Sequence, residues 1–155
     1  MRLRAFAVTG ALVVSAITCV TPPLAAEQNC VSPAENVSQT GGWALQRLAP
    51  ERVWGFSRGE SALGAVGGTG VSSASPALAG AVQGPPRDDC SGRDTFIAGV
   101  ISARPMPGTG FTGIAPGSRI RPVPVANDET GVDPGKLAAG IRKAADADAR
   151  IIAVT

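Results

Sequence analysis

The chain has 155 residues, a length that accommodates one domain. Its formal net charge is only +2, and its Lys and Arg residues are scattered with no basic stripe, which argues against nucleic acid as a partner. Glycine (20) and proline (13) favour loops, but an apolar fraction of 44% is ordinary for a globular core.

Arg2 and Arg4 give the N-terminus a positive start, and Ala5 to Val20 form an apolar run. Pro22 and Pro23 end any helix, and small residues up to Ala26 suit cleavage. Residues 1–26 therefore read as a signal peptide, and the mature protein as exported to the cell envelope or beyond. Two alternatives are an uncleaved anchor, for which the run is short, and lipidation of Cys19, which lacks a convincing lipobox. No transmembrane helix is read beyond this segment.

Residues 27–42 are polar and lack periodicity, and read as an extended arm carrying a sequon at Asn36. Residues 43–155 read as one domain. From Trp43 to Trp54, the side chains of Leu45, Leu48, Val53 and Trp54 could pack on a core. Ala62 to Val66 is a short apolar strand-like run ending in Gly67-Gly68-Thr69-Gly70, and Pro76 to Leu78 suggest a helical turn. Thr95 to Ala103 read as a helix burying Phe96, Ile97, Val100 and Ile101. Arg119 to Val125 alternate like a strand, interrupted by Pro122 and Pro124. Asp133-Pro134 is a helix start, an N-cap followed by proline. Leu137, Ile141, Ala144 and Ala145 then form an apolar face. Arg150 to Thr155 read as a buried strand. Alternation of strand and helix predicts an α/β fold with a parallel sheet.

Export gives the cysteines a meaning. Loss of Cys19 with the leader leaves Cys30 and Cys90, and an even pair in an oxidising compartment reads as a disulfide rather than two free thiols. Closing a loop of this length is worth roughly 4 kcal/mol at best in the chain-entropy model. Gly64 to Gly70 is not a dinucleotide fingerprint, because no long helix follows. Asp88, Asp89 and Asp94 read as a solvated acidic loop without the spacing of a calcium site. Zinc is disfavoured, with no histidine in the chain and its cysteines paired. No cofactor and no metal are expected.

Several segments together resemble the mycosins, subtilisin-like serine proteases of type VII secretion. They are Trp43 to Trp54 with Ser57-Arg58-Gly59, Pro76 to Gly80, Asp89 to Gly92 with Thr95 to Pro105, Gly110 to Pro116, Arg119 to Val123, and Ile141 to Thr155. The resemblance implies the N-terminal portion of a subtilisin-like parallel sheet with flanking helices. It also suits a Cys30–Cys90 bridge and implies components of a type VII secretion membrane complex as partners.

The catalytic positions depart from the family pattern. An aspartate followed by Ser or Thr, Gly and Val is matched by Gly68-Thr69-Gly70-Val71, so glycine stands at the aspartate position. Gly-His-Gly-Thr is matched by Gly92-Arg93-Asp94-Thr95, so arginine stands at the histidine position. The family's nucleophilic serine falls beyond Thr155. Serine needs a base of near-neutral pKa, and a guanidinium stays protonated. A Ser-Lys dyad using Lys136 or Lys143 is disfavoured, since both lie on the polar side of a helix.

Other departures concern the scaffold. Gly67 replaces a larger core residue, Pro124 is expected to remove a ladder hydrogen bond from an interior strand, and Ala153 stands at a family asparagine. The chain also stops at a normally interior strand and lacks the mycosins' C-terminal membrane helix. The expectation is a catalytically inactive, truncated mycosin homologue with at most a scaffolding or binding role. The alternatives are half of a serine endopeptidase completed by a separate C-terminal chain, and a non-functional gene remnant.

Overall fold

A computed structural model describes residues 30–31, 38–85, 87–127 and 131–155. The expected leader, the sequon at Asn36 and most of the arm lie outside the described residues. Helices α1 (Trp43–Leu48), α2 (Arg93–Ser102) and α3 (Pro134–Asp146) accompany strands β1 (Leu63–Gly68), β2 (Arg119–Pro124), β3 (Ala126–Asn127), β4 (Gly131–Val132) and β5 (Ile151–Val154). The expected α/β class holds: β2, β1 and β5 form a parallel sheet in that order. The small antiparallel pair β3–β4 was not foreseen, because two-residue strands leave no periodicity to read.

The chain steps from β1 out to β2, then back across β1 to β5. Crossovers of one hand running in opposite directions put their helices on opposite faces of the sheet. Two core clusters reflect this. On the α2 face, Val66 and Ile120 pack with Val71, Leu78, Ala81 and Ala98. On the α3 face, Ala65 and Val123 pack with Val125 and Ala144, flanked by Leu137 and Ile152. Adjacent strand residues point to opposite faces, so the alternation within β1 divides the two clusters.

Helix faces differ from expectation in one consistent way. Helix α2 buries Asp94, Ala98, Gly99 and Ser102, while Phe96 and Val100 are exposed. Helix α3 buries Gly140 and Ala144 rather than Ile141. Ile97, Ile101 and Leu137 pack against the core as expected, while small residues let each helix press close to the sheet and Phe96, Val100 and Ile141 turn outward. Asp133 caps α3 as expected, its Oδ1 accepting the Lys136 N–H at 2.8 Å.

Three further expectations are corrected. The 43–54 stretch does not join the core: α1 buries no residue, and Trp43 is 82% exposed. Trp54 is half-buried, donating its indole N–H to the Ile114 carbonyl at 2.9 Å beneath the Arg58 guanidinium. The last strand is not buried either, with Ile151 67% exposed.

Pro124 removes no ladder bond. Arg119 and Val125 donate their N–H groups toward β1, at 3.0 and 2.9 Å, whereas Ile120 donates outward to Ala81. The nitrogens of Pro122 and Pro124 share the outward parity of Ile120. They lie on the edge of β2 that no strand pairs among the described residues. Proline is tolerated at such an edge because no N–H is needed there.

Two glycines make opposite predictions. A methyl group on Gly67 would rest 3.6–3.9 Å from Ala153, Val125 and Val123, which is ordinary contact. Gly67→Ala is expected to raise stability by about 0.5–1 kcal/mol, read from urea denaturation midpoints. A methyl on Gly140 would come within 2.5 Å of Val125 Cγ1 and 2.8 Å of Val123 Cγ1. Gly140→Ala is expected to destabilise by about 1–3 kcal/mol in the same measurement, by forcing α3 off the sheet.

Candidate functional site

The carboxyl ends of parallel strands and the N-terminus of the helix that follows are the usual place for chemistry in an α/β sheet. Here the end of β1, the N-terminus of α2, the β3–β4 ribbon and Thr155 enclose a cleft of about 280 Å³. Its lining includes Gly68, Thr69, Ser91, Arg93, Asp94 and Thr155. The two positions singled out in the sequence, Gly68 and Arg93, thus meet at one cleft.

Gly68 lies on the same side of β1 as Val66, facing α2. Arg93, the first residue of α2, is exposed at the rim. Asp94 is 1% exposed and fills the space between them. Its Oδ2 accepts the Gly70 N–H at 3.0 Å and the Thr69 hydroxyl at 3.3 Å. Its Oδ1 accepts the Thr155 hydroxyl at 2.6 Å. A buried carboxyl group needs such partners to be tolerated.

Asp89 forms the adjoining half of the network. Its Oδ2 accepts both the N–H and the hydroxyl of Thr95, each at 2.7 Å. Its Oδ1 accepts the hydroxyls of Thr69 and Ser91, each at 3.0 Å. Thr95 occupies the first turn of α2, so Asp89 satisfies one of the helix's orphan donors from outside the helix. Burial pushes the Asp89 carboxyl up. The Thr95 N–H and hydroxyl, with the hydroxyls of Thr69 and Ser91, outweigh that effect and hold it below its ordinary value.

The solvated acidic loop expected from the sequence is therefore corrected. Only Asp88 is exposed; Asp89 and Asp94 are buried and hydrogen-bonded. The signal that could have found them is the pair of hydroxyl residues, Thr69 and Thr95, at the two chain segments that converge here. Among the described residues no group of three His, Cys, Asp or Glu side chains is placed to hold a metal. Lys136 and Lys143 do not reach this cleft; Lys143 lines a separate groove with Arg87 and Arg121.

Cys30 and Cys90 are joined in a disulfide. Beside it the Val31 N–H donates to the Cys90 carbonyl at 2.8 Å, so the arm is fastened just ahead of α2. Further along, the Gly110 N–H donates to the Ser38 carbonyl at 2.8 Å. A Cβ on Gly110 would collide with the backbone of Thr40 and Gly41, so glycine is required for that close approach.

Such a parallel sheet, with a cleft at the strand ends and a helix opening onto it, has solved counterparts. The chain has a subtilisin-like fold, and it is homologous to subtilisin-like proteases. Within that class the likeness is to mycosins. It matches MycP1 from Mycobacterium smegmatis at 25% identity and a TM-score of 0.64, over 80% of this chain and 38% of that one. It matches the MycP3 protease of the ESX-3 type VII secretion system at 28% identity and a TM-score of 0.64, over 80% and 38%. Fervidolysin from Fervidobacterium pennivorans, a keratinolytic enzyme related to subtilisin, matches at 30% identity and 0.58, over 66% and 18%. The chain thus spans about two fifths of the length of these mycosin structures. No protein-family model and no curated protein sequence matches it.

Asp89→Asn replaces an acceptor with a group whose N–H₂ faces existing donors. It is expected to destabilise the chain by about 1–3 kcal/mol at neutral pH, read by urea denaturation. Because the folded carboxyl sits below its ordinary value, its stabilisation is present above pH 3.8 and lost as pH falls below it. An acid titration of stability should therefore show a shallower acid limb for the variant than for the parent.

Proposed function

We propose that this chain is a catalytically inactive homologue of the mycosin-type subtilisin-like proteases, exported to the cell envelope, where its role is binding or scaffolding. The observation that carries this reading is the composition of the cleft. Gly68 and Arg93 stand at the positions that the family resemblance assigns to the catalytic aspartate and histidine, and the chain has no histidine at all. A guanidinium takes no proton from a serine, and a glycine orients nothing. The nearby carboxyl groups of Asp89 and Asp94 are engaged with backbone and hydroxyl donors. A type VII secretion complex is the proposed partner, since the matched MycP1 is an essential component of the ESX-1 system.

Export is supported by the leader-like residues 1–26 and by the Cys30–Cys90 bridge, which suits an oxidising compartment. Among the described residues no helix is long and apolar enough to cross a membrane.

A second reading, association with a further sheet segment supplied by another polypeptide, is favoured by one feature. Strand β5 has a neighbour only in β1 among the described residues, and Ile151 and Val154 are exposed. An unpaired apolar strand edge invites augmentation.

The chain purified without its leader should show no hydrolysis of fluorogenic peptides and no labelling by a fluorophosphonate serine-hydrolase probe. Adding a candidate C-terminal subtilisin segment should leave both readings at background. Turnover in either sample overturns the inactive reading.

A further inference from the structure

The glycine at the end of β1 and the aspartate in the first turn of α2 are two halves of one exchange. A Cβ on Gly68 would collide with both carboxylate oxygens of Asp94 and with the Thr155 hydroxyl. The Asp94 carboxyl group therefore occupies the room that any side chain on residue 68 needs. That room is fully furnished with donors: the Gly70 N–H, the Thr69 hydroxyl and the Thr155 hydroxyl all point into it. The pattern that the sequence resembles has a carboxylate at the position of Gly68 and a glycine at the position of Asp94. Here the two residue types are transposed.

We infer that the carboxylate seat at the head of the cleft has been kept and re-supplied from the opposite wall, so that positions 68 and 94 act as one coupled pair. Steric and polar requirements agree on this. With a carboxyl group arriving from α2, only glycine fits at residue 68. With Asp94 removed, the buried Gly70 N–H would be left without an acceptor, an arrangement proteins seldom tolerate, while the Thr69 hydroxyl would keep Asp89 Oδ1 and the Thr155 hydroxyl the Gly67 carbonyl. The seat ties the end of β1, the start of α2 and the residue after β5 together, so Asp94 is a positioning residue. Its carboxyl is spent on Gly70, Thr69 and Thr155, and none of its bonds runs to residue 93. A proton acceptor introduced at Arg93 would therefore find no orienting partner there.

The test is a set of full-chain variants read by thermal unfolding and by hydrogen exchange at the Gly70 amide. Gly68→Ala alone should lower the melting temperature by about 5 °C or more. In an Asp94→Gly background the same substitution should cost clearly less, because the collision with the carboxylate is gone and only the contact with the Thr155 hydroxyl remains to be relieved by rotation of that side chain. Asp94→Gly should raise Gly70 amide exchange by about tenfold or more, from loss of its acceptor. Gly68→Asp with Asp94→Gly should restore that protection to within about threefold of the parent. Gly68→Ala with Asp94→Gly relieves the collision with the carboxylate but supplies no acceptor, so it should leave the amide unprotected. The inference is overturned if the two double variants protect Gly70 equally, if the effects at 68 and 94 simply add, or if the Gly70 amide of the parent already exchanges at an unprotected rate.

Discussion

The buried carboxyl group of Asp94 is the constraint around which the cleft end of this molecule is arranged. A carboxyl group at 1% exposure must find hydrogen-bond donors within the protein. It finds them on the loop after β1 and on the residue after β5, while its own backbone opens α2. Three elements far apart in sequence are thereby fixed at one point. The neighbouring carboxyl of Asp89 shares the Thr69 hydroxyl and holds the first turn of α2 from the other side. Loosening either group would free the helix whose N-terminus forms the cleft wall.

The same arrangement decides what the cleft can do. Proton transfer needs a group that both accepts and releases a proton near neutral pH, positioned against its reaction partner. The exposed Arg93 guanidinium does not meet that need, and the buried carboxyl groups face structural donors. Polar groups have been retained at the strand ends, but in roles that hold the scaffold. The fold and homology to subtilisin-like proteases do not by themselves fix the chemistry of the site, because site residues are replaced more freely than the layers that carry them.

The scaffold accommodates its unusual residues by geometry rather than by tolerating broken bonds. Pro122 and Pro124 lie with their nitrogens toward the outer edge of β2, past the point where Ile120 bonds Ala81, where no strand pairs among the described residues. Gly140 and Gly110 mark places where backbones approach too closely for a side chain. Gly67 is the exception, with room for a methyl group that the chain does not supply. The disulfide then pins the arm beside the loop that carries Asp89, so the covalent and polar ties meet in one region.

Much of this architecture was legible in the sequence. Alternation of apolar runs with glycine- and proline-rich breaks gave the strand and helix order, Asp133-Pro134 gave the start of α3, and two cysteines gave the bridge. These are local or compositional signals, and local physics fixes them. The buried faces of α2 and α3 were read in part: Ile97, Ile101, Leu137 and Ala144 pack on the core, but Phe96, Val100 and Ile141 do not, because apolar spacing alone favours them over the small residues that permit close packing. The role of Asp94 was hard to read for a deeper reason. Its partners, Gly70, Thr69 and Thr155, lie 24 to 61 residues away in sequence. The sequence by itself determined that this chain has no histidine to serve as a base. Only the tertiary structure decided that the Asp94 carboxyl group fills the space beside Gly68, since that depends on two backbones meeting in space.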